Sequence, residues 1–143
     1  MSSQVRAMFA SIARRYDQGN QVLSMGLHHR WRRLGVKLSG AGPGARVLDC
    51  ATGTGDLALE FQRAVGPSGE VIGIDFCPEM LELARVKGAR EGLATRFVEA
   101  DAMRLPYGDG SFDVASIAFG IRNVDDPARG VAEMARVVRP GGS

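Results

Sequence analysis

The residues best equipped for chemistry stand in one stretch, Asp49-Cys50-Ala51-Thr52-Gly53-Thr54-Gly55-Asp56-Leu57-Ala58, with two further acids downstream, Asp75 and Asp101. Gly53-x-Gly55-x-x-Ala58 fits the fingerprint of a phosphate-approaching turn, and Asp75 lies twenty residues after Gly55. Glycines at that spacing let the backbone turn tightly and approach a ligand, while an acid at the next strand end can accept from ribose hydroxyls. These residues alone fit any adenosine-type cofactor.

Charge separates the candidates. A dinucleotide sets its pyrophosphate at a helix N-terminus, where amides and dipole favour an anion. Here Asp56 opens that helix and Asp49 ends the strand beneath it. Two carboxylates repel a pyrophosphate and suit a ligand carrying a sulfonium and an ammonium. Asp56 serves equally well as an N-cap or first-turn acid. Asp101, followed by Ala102-Met103, can accept from an adenine amino group while a following amide reaches a ring nitrogen; it is also an ordinary strand-end turn residue. Acids at three successive strand ends favour a class I S-adenosylmethionine-dependent methyltransferase, with a dinucleotide enzyme as the alternative.

The elements that must position these residues alternate in type. Residues 3–16 and 20–38 carry helical spacing, the second broken near Ser24-Met25-Gly26, and Gly40-Ala41-Gly42-Pro43-Gly44 closes the leader. Strands follow at Arg46–Cys50, Glu70–Phe76, Thr95–Ala100 and Phe112–Phe119. Helices follow at Asp56–Val65, from Pro78 to Gly92, and from Asp126 through Val138. Alternation at this spacing predicts an α/β, Rossmann-like doubly wound, mainly parallel sheet with a helical N-terminal extension. We expect a lid or substrate segment over residues 1–40 and a cofactor-binding domain over 41–143. Ligands bind such sheets outside the carboxyl ends of the strands.

Composition agrees. The 143 residues are 45% hydrophobic and 24% charged, ordinary for one globular domain and unlike a disordered chain. No apolar run approaches the ~20 residues that span a bilayer, and no secretory signal opens the chain. Two cysteines, Cys50 and Cys77, are too few for a disulfide framework, so a reduced, cytoplasmic setting is expected. Residues 1–39 hold seven Lys/Arg against one acid, Asp17, whereas the remainder holds eleven against fifteen. Such a leader fits an anionic partner or a solvated helix face; we expect no nucleic-acid partner. The sequence has no metal cluster, nucleophile elbow or P-loop lysine.

The chain resembles the ubiquinone/menaquinone biosynthesis C-methyltransferases, the UbiE/MenG-type family. The likeness runs through Phe9-Ala10-Ser11-Ile12-Ala13-Arg14-Arg15-Tyr16-Asp17, Leu23-Ser24-Met25-Gly26-Leu27-His28 with Trp31 and Arg32, and Val47 to Asp56. Phe119-Gly120-Ile121-Arg122-Asn123-Val124 and Arg136 to Gly142 extend it. The glycine loop is common to many methyltransferases, whereas the Arg-Tyr-Asp leader and the Gly-Ile-Arg-Asn segment are much more specific. The resemblance implies methyl transfer from S-adenosylmethionine, leaving S-adenosylhomocysteine, to a ring carbon of a reduced, lipophilic quinol. Other small-molecule acceptors and a non-catalytic cofactor-binding module are the alternatives.

By the resemblance, Thr54, Asp75, Asp101 and Ala102 match cofactor-binding positions, and Ala118 stands where many members have a serine contacting the cofactor. With them we expect Asp49, Gly53, Gly55, Phe76, Met80 and Met103 to touch the cofactor. Arg122 after the fourth strand suits a phenolate oxygen and Asn123 can fix the ring, although Arg122 could equally pair with Asp125 or Asp126. Tyr16 and His28 are the leader's titratable candidates, His28 as a base near neutral pH or as a structural residue beside Trp31. Met25, Leu27 and Trp31 with their arginines suit a prenyl tail, peripheral contact with the inner face of a membrane, or simple core packing. The family's sheet continues past Pro140-Gly141-Gly142 into a fifth strand and a hairpin, so we expect the C-terminal strands to be missing and the fourth strand's edge to favour a homodimer.

Overall fold

The computed structural model describes residues 27–117 and 126–143. Helix α1 (Leu27–Ser39) precedes β1 (Arg46–Cys50), α2 (Asp56–Val65), β2 (Glu70–Asp75), α3 (Pro78–Arg90), β3 (Arg96–Glu99), β4 (Val114–Ile117) and α4 (Pro127–Val137). The strands form one parallel sheet in the order β3-β2-β1-β4. The chain therefore winds outward from β1 through β3 and then crosses back to pair β4 with the free flank of β1. That reversal parts the connections above β1, which opens a crevice at its carboxyl end.

Strands covered on both faces read as near-continuous apolar runs, and Val47-Leu48 and Val71-Ile72 do so here. Their alternation sorts the core into two layers. Val47, Val71, Phe97 and Val114 pack with Val36 of α1, Ala58, Leu59, Phe61 and Val65 of α2, and Leu81 and Ala84 of α3. Leu48, Cys50, Ile72 and Ile74 face the other way, against Leu105, Phe112 and Val137. By the same alternation Asp49, Gly73, Asp75 and Ser116 share the α2–α3 face, at its upper end.

The helix signals in the sequence have local causes in the structure. Pro78 sits in the first turn of α3, where its missing N–H costs nothing. Asp126 accepts from the amide of Arg129 and caps α4. Helix α1 begins at Leu27, and the break expected at Ser24-Met25-Gly26 lies outside the described residues. Strands β2 and β3 fall one residue short of the sequence reading at Phe76, Thr95 and Ala100, and β4 starts two residues later than expected. Phe112 does not extend β4; it bridges to Val138, with its amide given to Val137 and its carbonyl accepting from Arg139. Asp113 turns aside to accept from the Arg46 amide and to pair with Arg139.

The expectation of an unpaired β4 edge needs correcting in part. The amide of Ser143 donates to the carbonyl of Asp113, and its own carbonyl accepts from Ala115, so the chain's last residue pairs with the first half of that edge. A cavity of about 560 Å³ lies beside this pairing, lined by Ser39–Ala45, Asp113, Val114 and Arg139 with Gly141–Ser143. It opens at the amino ends of β1 and β4, away from the crevice, and is not the candidate site.

Candidate functional site

The loop between β1 and α2 is a chain of tight conformations. Ala51, Gly53 and Gly55 all have positive φ, at 51°, 58° and 87°. Gly55 is forced: a Cβ there would stand 2.8 Å from Ala84 and 2.9 Å from the Phe97 ring. Only a residue without a side chain lets the loop lie this close to α3 and β3. The loop is also stitched to β2, because the Thr52 amide donates to the Ile74 carbonyl at 2.8 Å and the Gly53 amide to Asp75 Oδ2 at 2.9 Å.

Two carboxylates are buried beneath it. Asp49 is 2% exposed and accepts from two hydroxyls, Thr52 Oγ1 on Oδ2 and Ser116 Oγ on Oδ1, both at 2.8 Å. Burial pushes its carboxyl up to about 6, against the lowering effect of the two hydroxyls. Asp75, 7% exposed, accepts from Gly53 and, through Oδ1, from the Cys77 amide at 3.0 Å. Burial raises it as well, although the backbone donors hold it down. Neither carboxylate pairs with a cation among the described residues. The Cys50 thiol next to Asp49 is pushed well up by burial, which keeps it an inert core residue.

Asp56 behaves differently. It stands at the first position of α2 behind Gly55, and its side chain does not cap the helix. Lys87 Nζ reaches over from α3 to its Oδ1 at 2.9 Å and to Thr54 Oγ1 at 3.1 Å, while Arg32 of α1 stands 3.8 Å from Oδ2. Two cations therefore neutralise Asp56, and the repulsion of a pyrophosphate rests on Asp49 and Asp75 alone. This corrects the charge argument drawn from the sequence, where Asp56 counted as a bare carboxylate.

Asp101 follows β3 and is exposed, with one oxygen accepting from the Met103 amide at 2.9 Å. The Met103 carbonyl and sulfur in turn accept from Arg129 and the Asp126 amide, which ties this turn to the start of α4. The structure thus brings Asp49, Gly53, Thr54, Gly55, Asp75, Phe76 and Met80 to the carboxyl ends of β1 and β2. Asp101, Ala102 and Met103 sit after β3. Of His28 only the backbone placement on α1 is described, and Tyr16, Ala118, Arg122 and Asn123 lie outside the described residues. Thr52, Ser116, Lys87 and Arg32 escaped the sequence reading. The register Asp49↔Ser116 explains the second of these, and it exists only once β1 and β4 have paired.

The glycine cradle, two buried carboxylates without a cation among the described residues and an exposed carboxylate just after the third strand fit an adenosine-bearing cation. Comparison with known proteins agrees. The chain is 59% identical over 138 residues to the ubiquinone/menaquinone biosynthesis C-methyltransferase UbiE of Bdellovibrio bacteriovorus, covering 96% of this chain and 58% of that one. It is 52% identical over 138 residues to the demethylmenaquinone methyltransferase of Deinococcus radiodurans, covering 96% and 57%. The chain thus spans little more than half the length of the curated relatives it matches. Among solved structures, the YcgJ protein of Bacillus superposes with a TM-score of 0.75 at 34% identity, covering 80% of this chain and 48% of that one. An S-adenosylmethionine-dependent methyltransferase of Aquifex aeolicus gives 0.70 at 28%, covering 76% and 58%. The family model for ubiE/COQ5 methyltransferases matches residues 1–143, and the chain belongs to that family.

Proposed function

We propose that this chain carries the cofactor-binding half of a C-methyltransferase that methylates the ring of a reduced, lipophilic quinol. The observation that carries this reading is the pair Asp49 and Asp75, buried under a glycine loop with no cation paired to them among the described residues. The family membership and the names of its relatives support the acceptor class.

S-adenosylmethionine, when bound, supplies an activated methyl group on a cationic sulfur. The chain's own residues then have three tasks. Gly53 and Gly55 let the backbone lie against the cofactor, and Thr54, Phe76, Met80 and Ala118 line it. Asp75 offers its remaining lone pairs to the ribose hydroxyls, and Asp101 with the Ala102-Met103 turn holds the adenine. Arg122 and Asn123 orient the acceptor ring and stabilise its phenolate, and Tyr16 or His28 takes its proton. Holding both reactants in line is worth about 7–11 kcal/mol of the barrier.

Among the described residues no helix is long and apolar enough to cross a membrane. The outward side of α1 exposes Leu34 and Leu38 one turn apart, beside Arg30, Arg33 and Lys37. That pattern supports peripheral contact with an anionic membrane face, from which a greasy acceptor would be drawn.

The test is transfer of labelled methyl from S-adenosylmethionine to a demethylmenaquinol or a ubiquinol precursor, with a panel of unrelated phenols alongside. Label in the quinol product and none in the phenols is expected. Tight cofactor binding with no transfer to any quinol, from this chain or from the chain joined to a relative's C-terminal portion, would overturn the acceptor assignment.

A further inference from the structure

Helix α4 carries a polar row that is spent on one stretch of chain. Asp126, Arg129, Glu133 and Arg136 follow one another at helical spacing, and each reaches the segment 103–109. Glu133 accepts from the Leu105 amide at 2.9 Å, and Arg136 donates to the Leu105 carbonyl at 3.1 Å. Two side chains thus satisfy the backbone of a buried residue, as a neighbouring strand would. Arg136 also pairs with Asp109. This lower half of the row anchors the segment to the body of the protein.

The upper half acts on the turn Asp101-Ala102-Met103-Arg104. That turn leaves the sheet beside the crevice, because the Ala100 amide before it donates to the Asp75 carbonyl at 3.0 Å. Inside it the Arg104 amide donates to the Asp101 carbonyl, and the Met103 amide to Asp101 Oδ1 at 2.9 Å. Such bonds give a turn its shape without fixing where it points. Its hydrogen bonds to the rest of the described residues are both at Met103: the Asp126 amide donates to the sulfur at 3.2 Å and Arg129 Nε to the carbonyl at 3.1 Å. Thioether sulfur is a weak acceptor, so the Arg129 bond is the firmer of the two.

Held in this way, the turn presents a matched pair. Asp101 Oδ2 and the Ala102 amide have no partner among the described residues, one an acceptor and the other a donor on adjacent groups. Adenine offers the complementary pair side by side, an amino donor and a ring-nitrogen acceptor. Hypoxanthine reverses both, with a carbonyl and a ring N–H.

We propose that Arg129 is a positioning residue for base selection, holding the Met103 carbonyl so that Asp101 and the Ala102 amide meet the cofactor's purine edge together. The inference rests on the cofactor reading above, in which this turn takes the adenine. Arg129 stands outside that site, on another element, and acts through Met103. Without it the turn keeps its shape and loses its aim.

Calorimetric titration of the chain with S-adenosylhomocysteine and with S-inosylhomocysteine tests this in the wild type, Arg129→Met, Arg129→Lys and Arg85→Ala. The two ligands differ only at the purine edge, so the ratio of their affinities reports base selection and cancels a general loss of binding. Arg129→Met keeps the aliphatic stem and removes every donor. Arg85→Ala is the control, since Arg85 also donates to a backbone carbonyl, that of Phe97 in β3 at 2.8 Å, away from the turn. Arg129 is exposed, so all variants should melt close to the wild type. The wild type should prefer adenine by about tenfold or more. The preference should fall to about threefold or less in Arg129→Met and stay unchanged in Arg85→Ala. Arg129→Lys should lie between, because its ammonium reaches the same carbonyl without the fixed geometry of the guanidinium. An Arg129→Met ratio equal to the wild type's, whether or not both ligands weaken, overturns the assignment and leaves Arg129 a structural role. An equal fall in Arg85→Ala overturns it too. A wild type that binds S-adenosylhomocysteine without preference for adenine overturns base selection and leaves the cofactor reading standing. If the wild type binds neither ligand, the cofactor reading fails with it.

Discussion

A buried carboxylate held by neutral donors has a cost in stability, and for Asp49 its sign is fixed. Burial raises the folded-state value to about 6 from 3.8, so between those pH values the folded chain binds a proton that the unfolded chain has lost. Stability therefore falls as pH rises through that window, and the full penalty persists above it. Asp49→Asn should stabilise the fold at pH 7.5 by on the order of 1–3 kcal/mol, with the gain vanishing near pH 4. Denaturant midpoints at several pH values would show this, and a destabilised variant at pH 7.5 would mean the hydroxyl bonds outweigh the charge. Asp113 and Glu133 are shifted the other way by their arginines and backbone donors, so they support the fold above the ordinary carboxylate range and cease to do so in acid. At this scale the sequence showed where the acids stand but not what they touch. Asp49 and Asp75 were legible as strand-end carboxylates because they follow apolar runs. The neutralisation of Asp56 was not, since Lys87 and Arg32 reach it from two other helices.

Among the elements, the glycine loop is the one with least tolerance. Its conformation depends on Gly55 lying against Ala84 and Phe97, and its floor is β2, where Gly73 is equally crowded: a Cβ there would stand 2.7 Å from Thr52 Oγ1 and 2.8 Å from Phe97. Gly55→Ala meets both a left-handed φ and a clash with buried side chains, and should cost about 2–4 kcal/mol together with measurable cofactor binding. Gly92→Ala is the control. It has a similar φ of 66° but open space around it, so it should lose only the backbone part, about 1 kcal/mol. Equal losses for the two, by denaturant titration, would show that the packing against α3 and β3 is slack. The elements themselves were mostly readable, because two-sided burial gives unbroken apolar strands and because Gly and Pro mark the turns. Strand ends were less so. Phe112 reads as the start of β4 on hydrophobicity, yet its place is decided by a bridge to Val138 and by the pull of Arg46 and Arg139 on Asp113.

At the scale of the molecule, the two edges of the sheet differ in kind. β3 is blunted: Arg96 and Glu99 are exposed charges, and Arg85 donates to the Phe97 carbonyl. β4 presents Val114-Ala115-Ser116-Ile117, without a charge, and among the described residues its outer edge is met only by Ser143. Uncharged, partly satisfied edges pair with other chains. The chain should therefore associate reversibly through β4, with a sedimentation coefficient that rises with concentration. A single monomeric species throughout a wide concentration series would show that the edge is covered. Helix α1 is joined to the body by more than the glycine-rich turn, because Val36 enters the core and Arg32 meets Asp56 at the glycine loop.

The Ser116–Asp49 hydrogen bond also bears on how the sheet is assembled. It joins residues 67 positions apart, on two strands that pair only where the sheet order reverses. Without the β1–β4 pairing, that flank of β1 would be open and the Asp49 carboxylate would keep its water. Desolvation of that carboxylate therefore goes with the β1–β4 pairing, whose contacts of high sequence separation must repay it. The hydrogen bond that completes the shell around Asp49 is thus tied to the longest-range strand pairing among the described residues.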